Sequence, residues 1–399
     1  MKNHPQGKFQ NYFLFGITVL FFLAGCDKGS NTLPPNPMFR SNLNRTGQYD
    51  ATGPQKFNEI AWDFSTAEST DSYGSGRKKH GSRAEVEGFG SGLRNISVFS
   101  SPAIKDGVVY FGSVSGHFYA VDTKTCEEKW KIGAGTTTKS SPAVYDETVY
   151  FGNYTGLMAV NIFTGQKKWK FRTDSEVFSS PAISGGIVYF GCLDDYLYAV
   201  DAKTGEEKWK FRTSGEIYSS PAISNETLYV GAGSDLIALD INTGKRKWLF
   251  NSNGIVNSSP AILNGTVYFG DDSYHLYALD TQTGKEKWRF KTGGKIRSSP
   301  AISDGTIYFG SFDDCFYALD KNDGKMKWKV ETGDIIFSSP GISGDTVYFG
   351  SNDEFLYAVD TKTGEIRWKH NFKTPVTSSP AIADGKVIVG WKYGLRALK

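Results

Sequence analysis

The sequence predicts an all-β fold: an eight-bladed β-propeller of four-stranded antiparallel blades, closed by an N-terminal strand that completes the last blade. Two periodicities and the mismatch between the chain ends predict it. Ser-Ser-Pro occurs eight times, with its prolines at Pro102, Pro142, Pro181, Pro221, Pro260, Pro300, Pro340 and Pro380, always 39 or 40 residues apart. Trp130, Trp169, Trp209, Trp248, Trp288, Trp328 and Trp368 keep the same step. A fixed period of about 40 residues is the mark of a repeat architecture.

Within one repeat, Ser298 to Thr332, the elements follow in order. "SSPAI" reads as the first strand and Ser303-Asp304-Gly305 as a turn. "TIYFG" is the second strand, followed by the turn Phe312-Asp313-Asp314. "CFYALD" is the third, followed by Asn322-Asp323-Gly324, and "KMKWKVET" is the fourth. Alternation, β-branched and aromatic residues, and Gly/Asp/Asn punctuation favour strands over helices. Four short antiparallel strands per repeat of about 40 residues make a propeller blade. The composition agrees: 15% of residues are aromatic and 45 of 399 are glycine, which suits sheets joined by tight turns.

The ends fix the blade count. Seven units are complete, and the eighth, "SSPAIADGKVIVGWKYGLRALK", stops after three strands. "EIAWDF", Glu59 to Phe64, places Trp62 in the tryptophan position of the repeat and supplies the missing outer strand. Closure of this kind removes the open seam of a ring.

The fixed residues have structural readings. Proline in the first strand suits an inner edge whose N–H is not needed in a ladder. The glycine of the "TG" turn suits a hairpin with positive φ, and the Asp and Thr before it bond the turn backbone. Trp62, Trp130, Trp169, Trp209, Trp248, Trp288, Trp328 and Trp368 are expected to wedge between blades, each burying about 150–250 Å². Three positions depart from the pattern: Cys126 replaces the turn glycine, Asn161 the Asp, and Asp323 the Thr. A left-handed Cys126 costs on the order of 1 kcal/mol. Cys192 and Cys315 read as small hydrophobes, and no disulfide is expected.

The N-terminus reads differently. Lys2 and Lys8 precede a 13-residue apolar run, Phe13 to Gly25, against about 20 residues for a membrane span. Residues 1–25 therefore read as a secretory signal. The run ends in Leu23-Ala24-Gly25-Cys26, which resembles a bacterial lipobox, so Cys26 is expected to become the lipidated N-terminus. Removing the signal leaves 43 basic and 42 acidic residues, a balance that gives no field favouring nucleic acid. Residues 26–58 read as a tether, residues 59–399 as the propeller, and residues 65–94 as a basic Gly/Ser-rich insertion.

The repeats of Ser100 to Lys399 are identified as those of the PQQ-like β-propeller superfamily, and "PMFRSNLNRTG" (Pro37 to Gly47) resembles a segment that often precedes such propellers. The resemblance implies one of two functions. Quinoprotein alcohol dehydrogenases hold pyrroloquinoline quinone and calcium, use an adjacent Cys-Cys disulfide, and carry long ligand-bearing insertions. The non-enzymatic branch includes BamB-like lipoproteins of outer-membrane protein assembly. Here no two cysteines are adjacent and the inter-blade loops are short. His4, His80, His117, His275 and His370 have no metal-ligand spacing. The pairs Asp194-Asp195, Asp271-Asp272, Asp313-Asp314 and Asp353-Glu354 fall in turns, where Asp is a normal turn former. The expectation is therefore no enzyme, no cofactor and no metal. The chain is expected to be a monomeric, lipid-anchored envelope scaffold that binds a protein partner, with a quinoprotein dehydrogenase-like enzyme, or a glycan or cell-surface binding propeller, as the alternatives. Asp27 after the lipidated cysteine favours inner-membrane retention in enteric bacteria, which leaves the membrane open.

The repeats vary most at one position. The residue before Ser-Ser-Pro reads Phe99, Lys139, Phe178, Tyr218, Asn257, Arg297, Phe337 and Thr377. These eight are expected to ring the channel mouth as a partner-binding surface, since aromatic and Arg residues are common interface anchors.

Overall fold

The structure, a computed structural model, describes residues 42, 47–66, 98–135 and 139–399. The signal segment, Cys26 and all of the insertion beyond Thr66 lie outside the described residues. The described strands form eight four-stranded antiparallel sheets. Blade six illustrates the unit: Ala301–Ser303, Thr306–Gly310, Cys315–Asp320 and Met326–Glu331. Blade eight combines Ala381–Ala383, Lys386–Trp391 and Gly394–Leu398 with the N-terminal strand Ile60–Ser65, in which Trp62 pairs with Ala397. The expected closure between chain ends is therefore present.

Strand alternation builds the core between blades rather than within them. In blade six Ile307, Phe309, Tyr317 and Leu319 face blade five, against Tyr268, Leu276 and Ala278. Tyr308, Phe316 and Ala318 face blade seven. Both faces of the middle strands are buried, which is why "TIYFG" reads as a nearly unbroken apolar run. The stack of Phe316 on Phe349, with centroids 3.8 Å apart, spans one such seam.

The outer tryptophans tie adjacent blades. The indole N–H of Trp288 donates to the carbonyl of Lys321 in blade six at 3.2 Å, and the Tyr268 hydroxyl donates to the same oxygen at 3.2 Å. Trp62, Trp130, Trp169, Trp209, Trp248 and Trp328 bond the equivalent carbonyls of Thr123, Ile162, Ala202, Ile241, Thr281 and Thr361. The turn glycine lies flat on the same ring: a Cβ on Gly324, whose φ is +71°, would stand 2.6 Å from Trp288. The glycine thus answers to both backbone conformation and inter-blade packing.

Cys126 occupies that glycine site with φ +60°, beside Trp62. Its thiol lies 3.5 Å from the Asp63 carbonyl, and burial pushes its pKa up to about 11. Restoring the repeat residue with Cys126→Gly should raise stability by about 1 kcal/mol, read as a higher midpoint in urea. The native thiol should alkylate at neutral pH far more slowly than that of the unfolded chain.

The other two irregular turn residues keep their function. Asn161 Oδ1 accepts the N–H groups of Phe163 and Thr164 at 2.9 and 3.0 Å, as Asp201 does for Lys203 and Thr204. Asp323 accepts the Lys325 N–H at 3.0 Å, the bond a threonine hydroxyl accepts elsewhere. In the charged turns these donors favour the ionised form. The N–H groups of Thr125 and Lys124, with Lys129, bring the Asp122 carboxyl down to about 2, and Arg367 leads the groups that do the same at Asp360. Both values lie below the unfolded value of about 3.9. Their stabilisation is therefore fully present above about pH 4 and is lost as pH falls toward 2. Urea midpoints should drop between about pH 4 and pH 2, and Asp122→Asn should keep the turn while reducing that drop.

The proline does not lie inside the first strand as the sequence suggests. In every blade it immediately precedes a three-residue strand, as Pro300 precedes Ala301–Ser303. The reason lies in the two serines, to which the sequence reading assigned no role. The second serine of each blade accepts the N–H of its counterpart in the preceding blade: Ser259 N–H to Ser299 Oγ at 3.0 Å, Ser299 to Ser339 at 2.9 Å, and Ser339 to Ser379 at 3.0 Å. The bond from Ser379 N–H to Ser101 Oγ at 3.1 Å closes this chain of eight into a ring. The first serine caps its own second strand, as Ser258 Oγ accepts the Gly270 N–H at 3.2 Å. A proline after these serines ends their irregular backbone without removing a ladder donor.

Candidate functional site

The loop from the fourth strand to the next first strand and the loop between second and third strands meet on one face. Backbone bonds join them across blades: Phe312 N–H donates to Lys295 at 2.9 Å, and Ile336 N–H to Ser311 at 3.1 Å. The Asp-Gly and Thr-Gly hairpins turn on the opposite face.

The variable position owes its freedom to its neighbours. In seven of the eight repeats the residue before it is apolar and fully buried: Val98, Val177, Ile217, Val256, Ile296, Ile336 and Val376. Each presses on the glycine ending the second strand of the preceding blade. A Cβ on Gly310 would stand 2.1 Å from Ile336, and one on Gly270 would stand 2.2 Å from Ile296. The residue after it is held in the serine network. Between these two anchors, one side chain per blade is released from packing and aimed at the mouth.

The structure brings six of the eight predicted residues together. Lys139, Phe178, Tyr218, Asn257, Arg297 and Phe337 line a cavity of about 590 Å³, joined by Glu216, Gly233 and Ile255. Phe99 and Thr377 line a second cavity of about 410 Å³ with Trp391, Lys373 and Lys392. Phe99, Tyr218, Ile255 and Phe337 are large apolar side chains exposed by 41–47%. Aromatic contacts run along the rim, from Tyr154 to Phe178 at 5.7 Å and on to Tyr218 at 6.2 Å, with Phe312 and Phe337 at 5.8 Å. Two cations sit on these rings: Lys139 Nζ lies 4.8 Å from the Phe178 centroid, and the Arg297 guanidinium 5.6 Å from that of Phe312.

Arg297 is also fixed from below. It makes a fork to Asp272, Nε to Oδ1 at 3.0 Å and Nη2 to Oδ2 at 2.7 Å, and Lys295 reaches the same carboxylate at 3.3 Å. Burial opposes ionisation of Asp272, but the bonds and charge of Arg297 and Lys295 outweigh it and lower its pKa. The planar guanidinium is thereby preorganised at the rim rather than free to wander.

The acidic pairs read as turn formers serve the fold. Asp313 accepts the Cys315 N–H, the Gly293 N–H and the Tyr317 hydroxyl, and Asp353 accepts the Phe355 N–H, the Gly333 N–H and the Tyr357 hydroxyl. Asp194 and Asp271 likewise accept the hydroxyls of Tyr198 and Tyr277. Among the described residues no group of three or more His, Cys, Asp or Glu is placed to hold a metal. Cys126, Cys192 and Cys315 stand in blades one, three and six, and burial raises each thiol pKa.

Ile255, Glu216 and Phe312 were missed in the sequence. The signal was present, because their positions also vary between repeats: Glu176, Glu216, Ile255, Lys295 and Ile335 in one loop, and Leu193, Asp272, Phe312 and Asn352 in the other.

No curated protein matches the chain in sequence. Among solved structures, BamB from Moraxella catarrhalis aligns with a TM-score of 0.67 at 17% identity, covering 76% of this chain and 97% of that one. A europium-containing methanol dehydrogenase aligns with a TM-score of 0.75 at 15% identity, covering 91% of each chain. The quinohemoprotein alcohol dehydrogenase from Comamonas testosteroni gives 0.73 at 16% identity, covering 92% of this chain and 80% of that one. At these identities the likeness establishes the fold alone. The sequence matches the PQQ_2 repeat family in four overlapping stretches, residues 83–178, 171–273, 250–379 and 332–398. The chain therefore belongs to the PQQ_2 family, described as outer membrane protein assembly factor BamB.

Proposed function

We propose that this propeller is a non-enzymatic scaffold of the cell envelope, anchored through a lipid on Cys26, that docks a partner protein of outer-membrane protein assembly at its channel mouth. The observation that carries this reading is the contrast between faces. The fold holds its serines, glycines and tryptophans in strict repetition, yet releases one side chain per blade into an aromatic and cationic rim. Exposed Tyr218 and Phe337 around a fixed Arg297 have the composition of an interface centre. In the mouth turns Asp194, Asp271, Asp313 and Asp353 are committed to tyrosine hydroxyls and backbone N–H groups, and Asp272 to Arg297, which disfavours the dehydrogenase reading.

Chemical crosslinking in intact envelopes tests the proposal. The expected result is an adduct with an outer-membrane assembly protein. Recovery of peptidoglycan or glycan alone would replace the protein partner with a glycan. A bound-quinone absorbance together with dye-linked alcohol oxidation, after adding pyrroloquinoline quinone and calcium, would overturn the non-enzymatic assignment. Cys26→Ala should release the protein from membranes.

A further inference from the structure

Blade eight has no outer Thr-Gly hairpin, because its fourth strand comes from the other end of the chain. Trp368 and Tyr348 of blade seven therefore lack the hairpin carbonyl that their counterparts use. The Pro54 carbonyl takes that place, accepting the Trp368 indole N–H at 3.0 Å and the Tyr348 hydroxyl at 3.0 Å. Gly53 lies close against the tyrosine of that pair, where a Cβ would stand 2.6 Å from the Tyr348 hydroxyl. Phe57 covers Trp368 with centroids 5.9 Å apart.

The same segment continues to the innermost strand. Ile342 N–H donates to Gly47 at 2.9 Å and Tyr49 N–H to Ile342 at 2.8 Å, a parallel bridge between Gln48 and Ile342. Ile342 pairs with Val347 on its other side, so the bridge occupies the channel-facing edge of Gly341–Ser343. Ser343 Oγ accepts the Gly53 N–H and donates to the Ala51 carbonyl, and the Tyr49 hydroxyl donates to Pro380 in blade eight at 3.2 Å. At the position of Gly341, the other seven blades have alanine: Ala103, Ala143, Ala182, Ala222, Ala261, Ala301 and Ala381. A Cβ on Gly341 would stand 3.2 Å from the Tyr49 ring and 3.1 Å from the Pro380 carbonyl.

We propose that residues 47–57 are a ring-closing strap, a separate structural unit from the strand Ile60–Ser65. It stands in for the missing hairpin of blade eight and adds a fifth, channel-lining strand to blade seven, and Gly341 is the adaptation that admits it. Residues 47–57, which the sequence reading placed in the 26–58 tether, thus belong to the seam between blades seven and eight. The strap runs in the same direction as Gly341–Ser343, from mouth toward hairpin face.

Hydrogen exchange on the full chain tests the strap. Amides of Tyr49 and Gly53 should exchange at least tenfold more slowly than in an unstructured peptide of the same sequence. Tyr49→Ala and Gly341→Ala should each remove that protection while the inner strands of blades two to five keep theirs. The double variant distinguishes steric exclusion from general damage. With the Tyr49 ring gone, adding the Cβ at 341 should lower the unfolding midpoint much less than it does beside Tyr49. Unprotected amides at Tyr49 and Gly53 in the parent protein, or strictly additive midpoint losses, would overturn the proposal.

Discussion

Trp288→Ala should lower the unfolding free energy by about 3–5 kcal/mol, the range for deleting a large aromatic from a packed site. Three losses combine. The ring surface between blades five and six disappears, along with its packing against Tyr268 at 5.9 Å. Gly324, which lies flat on the indole, faces a void. The Lys321 carbonyl keeps only the Tyr268 hydroxyl. Trp288→Phe should recover much of the area but not the hydrogen bond, and should fall between the two. Urea unfolding followed by far-UV circular dichroism measures the series. Equal midpoints for the parent and Trp288→Ala would show that the outer tryptophans do not hold the blades together.

Tyr218→Ala combined with Phe337→Ala should weaken partner binding by at least about 30-fold, the effect of losing about 2 kcal/mol at an interface anchor. Both side chains are exposed by more than 40% and line one cavity, so their removal should leave the thermal midpoint nearly unchanged. Arg297→Ala is a less clean variant, because it also leaves the half-buried Asp272 with Lys295 as its remaining cation. Its loss of affinity should therefore come with a measurable loss of stability, and Arg297→Lys should not restore the bidentate geometry.

The sequence and structure differ in instructive places. The blade count, the clasp by Trp62 and the inter-blade role of the tryptophans were legible because each is written many times at one spacing. The paired serines were equally regular, yet their role was not legible. Their bonds run from one repeat to the next, as Ser299 to Ser339, and nothing within a single repeat shows the ring they close. Variation among repeats pointed to the mouth residues, and it pointed equally to Ile255 and Phe312. The strap was hidden for the opposite reason. It occurs once, its contacts lie about 290–330 residues away in sequence, and its composition of Gly, Pro, Asp and Gln reads as linker. The one local trace was Gly341, the single departure from alanine in eight repeats.

The most direct test of the account compares the two faces of the ring. A photo-crosslinking residue placed at Phe337, on the mouth, and another at the exposed Asn264, on the hairpin face, would be activated in intact cells. The account predicts a discrete adduct with an envelope protein from Phe337, lost in the Tyr218→Ala background, and none from Asn264. An adduct from Asn264 with none from Phe337 would contradict it and place the docking surface on the opposite face.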